Sequence, residues 1–513
     1  MPFWKKRTDA GMFSRSLSPG ETPYLLRITL LMVLFAGILN AQEYRYGVLS
    51  YTESAWSDTS ISRYFESWND VYLERGPLRA FARLGAHNPA ADFAQQADSR
   101  GLEQRYLSFQ SSGWDIRLGH FYSLLGRGLT LRSFESRTLR WDSNLDGLRL
   151  AFRHDYFSTQ LFAGKPRKTR LSISERDKND PPAAGERLPA QYGGEVRIKP
   201  LTPIALGGTY VYSDNGPDGG EGFSRGSLFA EGNFLQGSFY GEVAALPYPA
   251  AYGQDDGRAA YFSGNLFLGN LILLGEYKYY RNFGFFDGLL NNPPSVIREH
   301  LYTLLNRHQL VQNANDEQGY LVEMSYPVLD RGVALWSFSQ TEDSLGNVAY
   351  RDFYGQVELD QFLGGEWVLG SGQQREFSRR YWNLVGSASY PFRDYYALKV
   401  VYEHLYARDD ATFPNRRYYD QLLTIGLSKA PGWTLSFIGE HSTDHTVGDN
   451  YVPGQTPVRH FYWGGGQLDL SLFGAVDLSL FAGSRRAGKV CIGGVCVVKP
   501  ELKGVEVTLT VRR

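Results

Sequence analysis

"LKGVEVTLTVR", Leu502 to Arg512, alternates with a period of two: Val505, Val507, Leu509 and Val511 fall on one side, and Glu506, Thr508, Thr510 and Arg512 on the other. Successive side chains of a strand point to opposite faces, so the stretch describes a strand with one apolar and one polar face. The period returns in "WTLSFIGE", where Trp433, Leu435 and Phe437 oppose Thr434, Ser436 and Glu440. It returns again in "QLDLSLF", with Leu468, Leu470 and Leu472, and in "AVDLSLFAG", with Val476 and Leu478.

The connectors between such segments decide what the strands build. From residue 147 onward short turns alternate with long polar loops. Short ones fall near 153–156, 199–203, 232–234, 267–270, 327–331, 360–364, 391–394, 429–432 and 471–474. Long ones fall near 164–190, 213–222, 246–258, 281–317, 341–350, 407–415 and 442–458, with a shorter one near 374–379. Short turns on one rim and long loops on the other are the signature of an outer-membrane barrel, with periplasmic turns and extracellular loops. Closure pairs every backbone N–H and C=O without an apolar core, leaving apolar side chains for lipid and polar ones for the lumen. A soluble sandwich or propeller would also alternate, but it would not need one-sided loops, and no repeat of about 40 to 50 residues is visible. Strands counted from about Leu78 number 22, within a range of 18 to 24. The expectation is an all-β, antiparallel transmembrane β-barrel over residues 77–513, with residues 42–76, including "YRYGVLSY", adding a strand or lying in the lumen.

Composition agrees with this reading. The 513 residues include 34 Tyr, 31 Phe, 10 Trp and 56 Gly, and clusters such as "SYPFRDYY", "FYW" and "EYKYY" suit interfacial aromatic girdles. Lys and Arg total 53 against 54 Asp and Glu, so no global field points to nucleic acid. The one long apolar run, "ITLLMVLFAGIL" (Ile28 to Leu39), is 12 residues long and too short to span a bilayer as a helix. With Arg27 before it and Ala41 after it, residues 1–41 read as a secretory signal peptide, translated from Met1 or Met12, with a signal anchor as the alternative. The expected location is the outer membrane of a Gram-negative bacterium. The expected partners are outer-membrane lipid, the insertion machinery, and an unknown solute or protein.

Both cysteines lie in "VCIGGVCVV" (Val490 to Val498). In a hairpin turning on Gly493-Gly494, Ile492 and Val495 flank the turn, and Cys491 and Cys496 face each other at the next pair, within disulfide reach. Export makes the bridge an expected staple of an exposed loop tip, and a redox or metal pair is the alternative.

"CIGGVC" followed by "PELKGVEV", with "GHFYSLLGRGLTLRSFESRTL" (Gly119 to Leu139) and "NNPPSVIREHLYTLLNRHQ" (Asn291 to Gln309), resembles an uncharacterised family of Bacteroidota-type outer-membrane barrels known only as a domain of unknown function. The resemblance implies the barrel and its location, and no activity or functional residue. The terminal Val511-Arg512-Arg513 departs from the aromatic end common in such barrels.

Three segments carry candidate chemistry. "GRGLTLRSFESRTLR" places Arg127, Arg132, Glu135, Arg137 and Arg140 between two strands. Folded into the lumen it would form a basic constriction favouring anions, or else pair with lumenal carboxylates and fill the barrel. Ser295 to Asn306, after Pro293-Pro294, reads as a helix capped by Ser295 with Ile297, Leu301, Leu304 and Leu305 on its apolar side, packing on the barrel wall or on its own loop. "HSTDH" (His441 to His445) offers metal-type ligands without a helix to align them. No nucleophile elbow or HExxH occurs, so no enzyme, cofactor or metal site is expected. The leading functional expectation is a porin-like channel for a small hydrophilic solute. The alternative is a non-conducting structural or docking barrel of a secretion or surface complex.

Overall fold

The computed structural model describes residues 44–58, 63–88, 99–137, 141–166, 189–201, 203–214, 221–248, 255–284, 294–307, 316–409, 416–444, 460–492 and 495–513. The signal-peptide reading of residues 1–41 lies outside the described residues.

Among the described residues, twenty-four strands form one sheet in which each pairs antiparallel with its neighbours. The sheet closes where the first strand, Arg45–Ser57, pairs with the last, Leu502–Arg512, in a register running from Leu49↔Arg512 to Ser57↔Gly504. At the end of the ladder Val48 N–H donates to the Arg513 carbonyl and Arg513 N–H to the Val48 carbonyl, both at 2.9 Å. The closing ladder thus includes the basic residue Arg513.

The barrel begins earlier than the boundary at residue 77. Arg45–Ser57 and Tyr64–Arg75 are both barrel strands, paired from Arg45↔Glu74 to Ala55↔Tyr64. These two strands precede the 22 that begin with Leu78–Asn88.

Alternation sets the two faces. In the strand Gly237–Leu246, Tyr240, Glu242, Ala244 and Leu246 are buried and point inward, while Phe239 and Val243 are exposed outside. Outward apolar side chains are among the most exposed in the molecule: Leu228 is 70% exposed, Leu369 64% and Leu161 54%. Leu228 stands opposite Val243, and Val357 opposite Leu369, so these residues join across strands into a belt. A continuous apolar surface of this extent needs a non-aqueous neighbour. No helix of the described residues is long and apolar enough to cross a membrane.

Candidate functional site: the lumen and its inward segments

The lumen has two unlike halves. Toward the long loops, inward side chains are buried: Asp352 and Tyr354, Leu405 and Ala407, Asp420 and Leu422, Thr209 and Val211. Farther along the same strands, toward the short turns, inward Glu358, Asp360 and Lys399 are exposed, and Thr424 and Ser428 are half-buried. On that turn side a hollow of about 490 Å³ is lined by Ser428, Thr434, Asp469, Ser471, Asp477, Ser479, Thr508 and Thr510, among others.

The loop half is filled from two directions. The first filling is the Gly- and Arg-bearing segment between the strands Trp114–Phe121 and Leu145–Arg153. Its backbone is held by wall carboxylates: Gly126 N–H donates to Glu195 Oε2 at 2.7 Å and Arg127 N–H to Glu242 Oε2 at 2.8 Å. Thr130 Oγ1 lies 2.7 Å from Thr209 Oγ1, and the buried Arg225 donates to the Thr130 carbonyl at 2.7 Å. Gly126 takes φ +55°, and a Cβ there would meet the Glu242 carboxylate, so a glycine leaves room for Glu242 to accept from the neighbouring Arg127 N–H. Leu125, Leu129 and Leu131 join Phe121, Phe162, Val211 and Tyr261 in a buried cluster.

The expected basic strip is therefore not a ring of bare charges. Arg127 lies over the Tyr240 ring at 4.9 Å and Arg132 over the Phe134 ring at 4.9 Å. Glu135 accepts from Arg83 at 2.6 Å and from Arg137 at 3.2 Å, while Arg83 and Arg137 both reach Asp70, at 2.6 and 3.1 Å. Two arginines and two carboxylates thus form one network, whose charges balance. Burial pushes the Asp142 carboxyl in this segment above its ordinary range, against the hydrogen bonds it accepts from Asn144. Arg140 lies outside the described residues.

The second filling is the loop stretch 294–307. It is not the helix expected over Ser295–Asn306: one 3-10 turn forms at Leu304–Asn306. The barrel wall and Asn306 satisfy its backbone instead. Leu304 N–H donates to Glu403 at 2.7 Å, Gln374 donates to the Leu305 carbonyl at 2.9 Å, and the Asn306 amide donates to the Tyr302 carbonyl at 2.9 Å. With these partners supplied, an internal i→i−4 ladder is not required. Ser295 accepts from Ile297 N–H at 3.1 Å. Adjacent Leu304 and Leu305 are both buried, whereas Leu301 is exposed. His300 Nε2 lies 2.6 Å from Asp352 Oδ2. Arg307 is paired bidentately with Glu440 and approaches Asp420 at 3.8 Å. Arg486 reaches the same two carboxylates at 2.9 Å from Asp420 and 3.3 Å from Glu440. Burial works against the Arg307 charge, but Glu440 and Asp420 more than offset it and its pKa stands above the ordinary value.

The cysteine hairpin completes the closure. Gly488–Ile492 and Val495–Lys499 pair as a ribbon separate from the barrel sheet, and their register sets Cys491 opposite Cys496. The ribbon is not a free tip. Cys491 N–H donates to Thr303 Oγ1 at 2.9 Å, Asn306 donates to Cys491 Sγ at 3.2 Å, and Lys489 pairs with Glu299 at 3.1 Å. At its base Lys499 reaches Glu53 at 2.5 Å and Glu506 at 3.1 Å, on the two strands of the closing seam. The Gly493-Gly494 turn and the Cys496 side chain lie outside the described residues, and the sequence carried no signal for the contact with Thr303.

The "HSTDH" residues are dispersed. His441 Nε2 lies 3.0 Å from His460 Nδ1 on the outer surface, Asp444 is engaged by Arg416, and His445 lies outside the described residues. Among the described residues no group of three or more His, Cys, Asp or Glu is placed to hold a metal ion.

Solved structures resemble this architecture at low sequence identity. A chain of the E. coli P pilus tip assembly intermediate PapC-PapD-PapK-PapG matches at TM-score 0.53 and 11% identity over 92% of this chain and 62% of that one. The translocation pore of the P pilus usher PapC matches at 0.49 and 11% over 92% and 99%, and Pseudomonas aeruginosa OccK5 (OpdH) at 0.38 and 12% over 75% and 98%. The first of these carries the argument, and what it shows is the fold. No curated protein matches the sequence. A family model described as "Family of unknown function (DUF6029)" matches residues 59–180 and 371–512, just over half of the chain, and the protein belongs to that family.

Proposed function

We propose that the protein is a gated channel of the Gram-negative outer membrane, closed in this state on its loop side, for a small hydrophilic solute. The observation that carries the reading is the division of the lumen. Its turn half is lined by polar side chains that are not buried, as a water-filled vestibule requires. Its loop half is occupied by two segments held by hydrogen bonds and ion pairs with the wall. A barrel of this strand number encloses an interior wide enough for a plug or for solute passage. Arg127, Arg132, Glu135 and Arg137 belong to the gate, and the cysteine ribbon, with the Cys491–Cys496 bridge expected from the sequence, latches it. The chain's partners in this reading are outer-membrane lipid and the insertion machinery.

The packed, ion-paired loop half also suits a second reading, a non-conducting barrel that docks a secretion or surface complex. Planar-bilayer recording separates the two. The channel reading predicts little steady current from the native protein and a large one after Arg83→Ala and Arg307→Ala are combined. Stable insertion with no current from either protein would favour the docking barrel.

A further inference from the structure

Five consecutive strands, Val348–Phe362, Gly365–Glu376, Arg379–Phe392, Tyr396–Asp409 and Arg416–Lys429, carry two adjacent rows of charge at their loop ends. The inward row reads Tyr350↔Glu376, Glu376↔Arg379, Arg379↔Asp409, Asp409↔Arg416, so each basic residue faces an acidic one. The outward row, one position along, reads Arg351↔Arg375, Arg375↔Arg380, Arg380↔Arg408, Arg408↔Arg417. In those four pairings every arginine has another arginine as its cross-strand partner. Like charges directly opposite each other destabilise a sheet, and the inward row shows how this chain arranges charge when the row is neutralised from within. Arg351, Arg375, Arg380 and Arg417 are exposed.

The rows beneath identify what surrounds these arginines. The next outward row is Phe353, Gln373, Trp382, Tyr406 and Tyr419, with Trp382 and Tyr406 ring centroids 5.5 Å apart and Tyr406 and Tyr419 6.5 Å apart. Two rows farther down lie Val357, Leu369, Gly386, Tyr402 and Leu423. At the usual strand rise and tilt, the path from Arg380 to Tyr390 covers about 25 Å of height, the thickness of the apolar band of such barrels. The arginines therefore stand just above an aromatic girdle, at headgroup level.

We propose that this arginine row binds the phosphate groups of anionic lipid headgroups in the loop-side leaflet. Guanidinium forks pair bidentately with phosphate oxygens, and several phosphates side by side would offset the repulsion among the exposed Arg351, Arg375, Arg380 and Arg417, whose cross-strand neighbours in this row are again arginines. The inference rests on the membrane placement of the barrel but not on conduction.

The test uses the purified full-length barrel in detergent, with lipid A carrying both phosphates as the probe, its dephosphorylated form as the comparison, and native mass spectrometry as the readout. Replacing all five arginines with Gln should weaken lipid A binding at least tenfold, and R380Q/R417Q alone by about threefold, with strand content by circular dichroism unchanged. The double variant keeps the test available where the fivefold one does not fold. Lys at all five positions should retain part of the binding, since charge remains and the fork is lost. Equal binding of dephosphorylated lipid A, or undiminished binding by the Gln variants, would overturn the proposal. So would inorganic phosphate binding as tightly as the lipid, which would make this a site for a soluble anion, or capture of an acidic protein without headgroup affinity. A barrel that reconstitutes and conducts yet shows no phosphate dependence would fail this inference alone.

Discussion

The two halves of the lumen are built from the same strands but handle polar groups in opposite ways. On the turn side, hydroxyls and carboxylates such as Ser436, Asp469, Thr508 and Thr510 are only half-buried and remain open to solvation. On the loop side, Asp70, Glu242, Asp352, Asp420 and Arg225 are buried, and partners from the inward segments take the place of solvent. Burying a charge is costly unless it is paired and hydrogen-bonded. The segments and the wall of the loop half therefore depend on each other, whereas the turn half depends on water.

That contrast can be broken most severely at Arg83, which is buried and bonds both Asp70 and Glu135. Arg83→Ala should cost about 3 kcal/mol in chemical unfolding of the detergent-solubilised barrel, since it leaves buried carboxylates short of a partner. Arg307→Ala should cost less, about 2 kcal/mol, because Arg486 continues to reach Asp420 and Glu440. Adding Arg486→Ala should then cost more than the sum of the single changes. Thr303→Val removes the hydroxyl that meets Cys491 and should lower stability by about 1 kcal/mol while leaving the barrel strands intact by circular dichroism. Thr510→Val and Ser436→Ala, in the solvated half, should each change stability by less than about 0.5 kcal/mol. A cost at Thr510 as large as that at Arg83 would erase the distinction between the halves.

The barrel itself was legible because alternation and connector length are local signals. The strand Leu502–Arg512 shows its faces unaided. Tyr64–Arg75 does not, since "ESWND" in its middle lacks the apolar alternates and lies buried on both faces near the loop rim. The segment 294–307 misled for a related reason. Its leucine spacing suits a helix, but Glu403 and Gln374, distant in sequence, take the backbone groups a helix would have paired. The arginine row was invisible for want of register: Arg351, Arg375, Arg380, Arg408 and Arg417 follow no period along the chain and align only across four ladders. Arg127 to Arg137 were correctly placed between two strands, but their partners Tyr240, Asp70 and Arg225 come from strands that only the closed barrel brings near.

The account stands or falls on a lumen that is wet on one side and packed on the other. The direct measurement is thiol accessibility in reconstituted vesicles, with Cys491 and Cys496 kept oxidised to each other and single cysteines placed at Ser436 and Ser479 in the turn half and at Thr209 and Ser339 in the loop half. A membrane-impermeant thiol reagent supplied from the turn side should label the first pair rapidly and the second pair slowly, and Arg83→Ala combined with Arg307→Ala should bring the loop-half positions toward the rate of the turn half. Equal labelling of all four positions in the otherwise native barrel would contradict it.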